Sequence, residues 1–175
     1  VTYVAEDVSI SADAIETGDG GKVIVWADDT ARTYGDISAT GGAGFGNGGL
    51  VETSGRQYLE VTKTPDITAV NGDGGLWLID PFDITIELGS TPVGINAADP
   101  FVSFADSSTL GVELIKTALT GGASVSITTG SGATSELGDI TLDTELDYNG
   151  KGNATLNLTA ANDINIKGKL DLFSS

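Results

Sequence analysis

Gly20-Gly21-Lys22-Val23-Ile24-Val25-Trp26, Gly48-Gly49-Leu50-Val51-Glu52-Thr53-Ser54 and Gly74-Gly75-Leu76-Trp77-Leu78-Ile79-Asp80 repeat one pattern, a glycine pair followed by an alternating strand. The copies start 28 and 26 residues apart. Aligned in columns, Val23, Val51 and Trp77 are all apolar, and Val25, Thr53 and Ile79 are nearly so. The columns between them, Lys22/Leu50/Leu76 and Ile24/Glu52/Leu78, admit charge. That is the period of two expected of a strand with one face inward. A second short pattern recurs in Asp83-Ile84-Thr85-Ile86, Asp139-Ile140-Thr141-Leu142 and Asp163-Ile164-Asn165-Ile166, the last two 24 residues apart. Short strands, Gly/Asn/Asp turns and a repeat of this length predict an all-β parallel β-helix, a β-solenoid. Stacked in register, each column becomes a ladder along the axis. At this repeat length the chain holds roughly seven coils, spaced about 4.8 Å apart. The glycine pairs are expected to form the corners between flat faces.

Working outward, one segment departs from the pattern. Leu110, Leu114, Ile115, Ala118 and Leu119 follow helical spacing, which predicts one short amphipathic helix near 107–119. Ser107 or Ser108 would cap its start, and Gly121-Gly122 would end it. Gly89 to Asp106, with Pro92 and Pro100, reads as an excursion from the coil. The predicted organisation is therefore one continuous solenoid: coils over 1–88, excursion plus helix over 89–122, and further coils over 123–175. A chain that opens on Val1 and closes on Leu170-Asp171-Leu172-Phe173 reads as a piece of a longer polypeptide.

Composition narrows the chemistry. The 175 residues carry 25 acidic side chains against 8 basic ones, a net charge of −17. Phosphate recognition needs clustered cations, so a nucleic-acid partner is not expected. The absence of His and Cys removes the usual zinc and copper ligands, thiol nucleophiles and His-dependent triads. No apolar run approaches the roughly 20 residues of a membrane helix. With 39 % apolar residues, the chain can still bury a core.

The residues also carry a resemblance. Gly48-Gly49-Leu50-Val51-Glu52-Thr53-Ser54-Gly55, then Leu76-Trp77-Leu78-Ile79-Asp80-Pro81 and Asp83-Ile84-Thr85-Ile86, resemble filamentous haemagglutinin-like exoproteins of the high-molecular-weight adhesin type. Gly20 to Trp26 with Tyr34-Gly35-Asp36-Ile37-Ser38-Ala39 upstream, and Val125-Ser126-Ile127-Thr128-Thr129 with Ala154 to Ile164 downstream, extend the likeness over nearly the whole chain. The resemblance implies a right-handed parallel β-helix, two-partner secretion through an outer-membrane transporter partner, and a place at the bacterial surface. It implies no defined active site. The family's amino-terminal secretion domain, with its Asn-Pro-Asn-Leu signature, does not occur in this sequence.

Candidate residues follow from their chemistry. Asp28-Asp29, Asp80, Asp83 and the line Asp139, Asp143, Asp147 are the carboxylates a polysaccharide-active enzyme on this fold would need. The Asp of each Asp-Ile pattern sits where aspartate makes turn hydrogen bonds, so the expectation is structural, with no catalytic residue and no enzyme activity. Gly18-Asp19-Gly20-Gly21 and Asn71-Gly72-Asp73-Gly74-Gly75 are oxygen-rich turns that would hold calcium weakly, without the full loop of a dedicated site, and no cofactor is expected. Trp26 and Tyr58 are the aromatic candidates for contact with a glycan or protein ligand. Trp77 falls on the inward column and Tyr34 precedes a strand, so core or ladder packing is expected of both. Asn153-Ala154-Thr155 and Asn157-Leu158-Thr159 match the glycosylation sequon at Asn153 and Asn157. The function expected is that of a segment of a secreted adhesin or fibrous scaffold, meeting host or bacterial surface glycans or proteins. The alternatives are a self-associating extracellular filament and a polysaccharide-active enzyme.

Overall fold

The computed structural model describes residues 1–89, 95–96, 99–103, 107–132, 136–148 and 153–172. The chain opens with a partial coil, β1 (Thr2–Val4) and β2 (Ser9–Ser11). The first full turn is β3 (Lys22–Ala27), β4 (Thr30–Thr33) and β5 (Asp36–Ser38); the second is β6 (Leu50–Gly55) and β7 (Tyr58–Val61). The third starts with β8 (Leu76–Ile79) and β9 (Ile84–Glu87). It then leaves the stack for an antiparallel pair, β10 (Ile95–Asn96) and β11 (Asp99–Ser103), and returns through β12 (Ser108–Gly111) and helix α1 (Val112–Thr120). The fourth turn is β13 (Ser124–Thr128), β14 (Ile140–Leu142) and β15 (Leu146–Asp147); the fifth is β16 (Leu156–Thr159), β17 (Ile164–Ile166) and β18 (Leu170–Asp171).

These turns stack as a parallel β-solenoid of about five turns. One face is the five-stranded sheet β3-β6-β8-β13-β16. Its register is the one the glycine-pair repeats require: Lys22 opposite Leu50 opposite Leu76, and Val23 opposite Val51 opposite Trp77. The Asp-Ile pattern also stacks, with Ile84, Ile140 and Ile164 in one ladder. Inward columns from all faces make one core, including Val25, Val51, Ile79, Val125, Ile127, Ile84, Ile140, Leu59 and Ile67. Trp77 is fully buried within it. Thr53 stands on the inward side because it serves that indole, whose Nε1–H donates to Thr53 Oγ1 at 2.9 Å. An aliphatic residue there would leave a buried donor without a partner.

The count of turns corrects the sequence reading of seven. The offset from Leu76 to its ladder partner Ser124 is 48 residues, because the excursion and helix lie between them. The second face explains where those residues go. Its strands run β1-β4-β7 and then β12-β9-β14-β17, with β12 beside β7. Between β6 and β13 the first face holds one strand, β8; between β7 and β14 the second holds two, β12 and β9. On the third side, α1 occupies the same level. Thr64 Oγ1 donates to Leu114 O on one side of the helix, and Tyr148 Oη donates to Leu119 O on the other. A helix is about 10 Å across, close to two strand spacings of about 4.8 Å. The extra strand on the second face matches that thickness.

The helix also begins later than its spacing suggests. Leu110 lies in β12, whose register against β9 runs from Ser108–Ile84 to Gly111–Glu87. Ser108 is buried and accepts the Leu59 backbone N–H at 3.0 Å, so it is not a helix cap. Gly111 holds the N-cap position without a side-chain cap bond. The end is as expected, at Gly121, with Gly122 at φ +86°.

The glycine pairs work differently from the corner role assigned to them. Gly20, Gly48, Gly49 and Gly75 do not sit at positive φ. A Cβ on Gly48 would fall 1.9 Å from Ile67 O, and one on Gly49 2.0 Å from Gly21 O. Glycine is required there because the backbones of neighbouring coils touch.

Candidate functional site

The corner between the first and second faces gathers Trp26, Arg56, Asp80, Pro81, Phe82 and Gly130 around a cleft of about 180 Å³. Four successive turns contribute, and backbone ladder bonds fix their spacing. Arg56 N–H donates to Ala27 O at 3.1 Å, Phe82 N–H to Arg56 O at 2.7 Å, and Gly130 N–H to Pro81 O at 3.2 Å. Trp26 projects from the outer side of β3 with 42 % of its surface exposed. The Arg56 guanidinium lies over the Phe82 ring, 5.2 Å from its centroid, and 3.8 Å from Asp28 Oδ1. Asp80 sits half-buried beside them. Burial pushes its carboxyl above the usual range, against the opposing pull of a Thr128 hydrogen bond and the Arg56 charge. The cleft thus joins an exposed indole and a phenyl ring to a cation and a carboxylate, all held on rigid strand ends.

Tyr58, the other aromatic candidate, lies elsewhere. It is only 3 % exposed, so the sequence reading that offers it to a ligand is corrected: the described surface does not present it. Tyr58 belongs to a polar cluster on β4 and β7. Arg32 stacks over its ring at 5.5 Å, and its hydroxyl donates to Glu60 Oε2 at 3.1 Å. Arg32 Nε lies 3.6 Å from the same Glu60 oxygen, and both residues are buried. The pair was legible from the repeat, since Arg32 and Glu60 are opposite in register at the 28-residue offset. Burial, then the Glu60 charge, raises the hydroxyl pKa of Tyr58 and of Tyr34. Burial likewise raises that of Glu60, against the hydrogen bonds of the two tyrosines and the Arg32 charge. Tyr34, between β4 and β5, packs edge-on against Tyr3 at 5.6 Å, whereas the register partner of Tyr3 is Arg32.

Two of the remaining carboxylates, Asp83 and Asp139, bond from turn to turn. Asp83 Oδ1 accepts the backbone N–H groups of Gly138 and Asp139, both at 2.7 Å. Asp139 Oδ1 accepts the side-chain amide of Asn162 at 2.7 Å and the Asp163 N–H at 3.0 Å. Each Asp therefore ties its own turn to the next one. The oxygen-rich turns behave alike: Asp19 Oδ1 accepts the Asn47 N–H, and Asn47 Oδ1 accepts the Asp73 N–H. Among the described residues, no three acidic side chains converge on a point that would hold a metal ion. Asn153 and Asn157 are both exposed, the latter on β16 opposite Ser126.

Sequence reading singled out Trp26 and, separately, Asp80, but not the cleft that unites them with Arg56 and Phe82. The signal that could have found it is the repeat offset carried past the strand ends, which stacks Asp28, Arg56 and Phe82 in one corner column. No family model matches the chain, and no curated protein matches it. Among the described residues, no helix is long and apolar enough to cross a membrane.

Proposed function

We propose that this chain is a length of extracellular rod, a segment of a secreted surface exoprotein that acts as adhesin or fibrous scaffold. The observation that carries the reading is the uninterrupted parallel register of the first face over five strands. Continuous backbone hydrogen bonding along the axis makes a stiff spacer, and the corner cleft offers a contact point on its side. The resemblance to filamentous haemagglutinin-like exoproteins supports the same reading, with export through an outer-membrane transporter partner. The acidic surface favours solubility and discourages lateral strand pairing. Asp83 and Asp139 are engaged by backbone groups, which argues for a non-enzymatic role. The test is binding of the labelled chain to intact host and bacterial cells, with calcium and with chelator. Saturable binding is expected; none on any surface would reduce the chain to a passive stalk.

A second reading, self-association end to end, is favoured by the last turn. Ile164 and Ile166 are 45 % and 49 % exposed, although their ladder partners Ile140 and Leu142 are buried. Sedimentation over a concentration series would show assembly if a second copy covers these side chains.

A further inference from the structure

The chemistry of the corner cleft narrows what it takes. The exposed indole of Trp26 gives an apolar plate of the kind that stacks on the C–H face of a sugar ring, and Phe82, with the Arg56 guanidinium over its ring, adds an apolar wall. The guanidinium of Arg56 donates several N–H groups from a fixed plane, and the Asp80 carboxylate accepts from hydroxyls. A donor beside an acceptor is the complement of a ring that carries adjacent hydroxyls. The cleft's roughly 180 Å³ lies below the usual range of drug-sized pockets, so it suits one ring rather than an extended chain.

Charge decides between classes of sugar. Among the described residues that line the cleft, Arg56 is the single cation, 3.8 Å from the exposed Asp28, with Asp80 in the cleft wall. An anionic sugar would enter against the Asp28 and Asp80 carboxylates and a chain of net charge −17. A neutral ring avoids that repulsion. We propose that the cleft formed by Trp26, Arg56, Asp80 and Phe82 binds a single neutral pyranose ring of a surface glycan. Its biological setting rests on the surface-rod reading; its geometry does not.

The cleft is preorganised, because Arg56, Pro81, Phe82 and Gly130 are tied to neighbouring turns by backbone hydrogen bonds between 2.7 and 3.2 Å and Trp26 lies in the β3–β6 ladder. Binding therefore orders little beyond the side chains, which keeps a small site useful when many copies of a rod are displayed.

The experiment is saturation-transfer NMR on the full chain with methyl galactopyranoside, methyl glucopyranoside and methyl glucuronide, followed by titration for Kd. The expected result is transfer from at least one neutral glycoside in the millimolar range, weaker or absent transfer from the glucuronide, and an affinity loss of about tenfold or more in Trp26→Ala. Trp26 is exposed, so this variant keeps the fold, which circular dichroism checks. Asp80→Asn, similar in size, should weaken binding in the same sense. No transfer from any neutral glycoside, transfer that survives Trp26→Ala, or preference for the glucuronide would overturn the proposal. Cell binding that persists in Trp26→Ala would sink the cleft while leaving the rod reading intact.

Discussion

At the scale of single residues, the stack is held by short polar side chains that reach from one turn to the next. Asp83 is the clearest case, since one carboxylate oxygen takes two backbone N–H groups from the following turn at 2.7 Å each. One of those donors, Gly138, is at φ +97°, a conformation that favours glycine and leaves its N–H aimed at the acid. Hydrogen bonds to a charged acceptor are worth more than neutral ones, and losing the acceptor leaves two donors part-buried. Asp83→Ala should therefore cost about 1–3 kcal/mol in urea denaturation, and Asp83→Asn distinctly less, because its amide oxygen can still accept. An Asp83→Ala variant as stable as the parent would show that water replaces the carboxylate at no cost. The same logic gives the Asp-Ile pattern a reason to repeat, since Asp139 bonds to the following turn in the same way.

At the scale of elements, the glycine pairs are the constraint with the sharpest consequence. Coils approach so closely at Gly49 that an added Cβ would meet the backbone of Gly20 and Gly21 at 2.0 to 2.8 Å. Backbone cannot step aside as a side-chain tip can, so Gly49→Ala has to pry β3 from β6. Overpacking of this kind costs about 1–3 kcal/mol or more, and the damage should concentrate in the first two turns. Hydrogen exchange is the check: amides of β3 and β6 should lose protection while those of β14 and β17 keep theirs. Uniform loss would mean that the turns do not open separately, against the behaviour expected of a repeat stack. Faces and register were legible in the sequence at this scale, because period-two columns and a near-constant offset over-determine them. The start of α1 was not. Leu110 satisfies helical spacing, but pairing with β9 gives Ser108 to Gly111 a complete ladder that a helical turn could not offer. The glycine pairs were found for the right reason of pattern and the wrong one of conformation, since close approach between turns has no local signature. The cleft was legible only in parts, because its members are joined by corners whose length the strands do not reveal.

At the scale of the whole molecule, burial and net charge both favour mild acid. Glu60 and Asp80 have pKa values raised by burial. Between their ordinary and raised values the folded chain holds more protons than the unfolded one, so stability rises as pH falls through that window. Asp13 works the other way. Burial raises its pKa, but hydrogen bonds from Ser11, Thr40 and Ser38 outweigh that and hold it at about 2 rather than 3.8. Its contribution is complete above 3.8 and is lost as pH falls toward 2. The side chain is exposed, so solvent screening keeps that contribution small. Repulsion among carboxylates in a chain of net charge −17 adds to the gain on mild acidification. Maximum stability is therefore expected on the acid side of neutral, with a decline only in strong acid. Salt separates the two causes. From about 0.01 to 0.1 M the Debye length falls from about 30 to about 10 Å, which screens net repulsion and barely touches buried groups. Calorimetry at pH 8 should show the melting temperature rising by a few degrees over that range, and by less at pH 5, where fewer carboxylates remain ionised. A falling melting temperature would mean that surface pairs such as Lys63–Asp36 and Lys116–Glu113, both at 3.0 Å, outweigh the repulsion. Exposed pairs are worth about 0–1 kcal/mol each, too little to reverse a field set by so large an excess of acid.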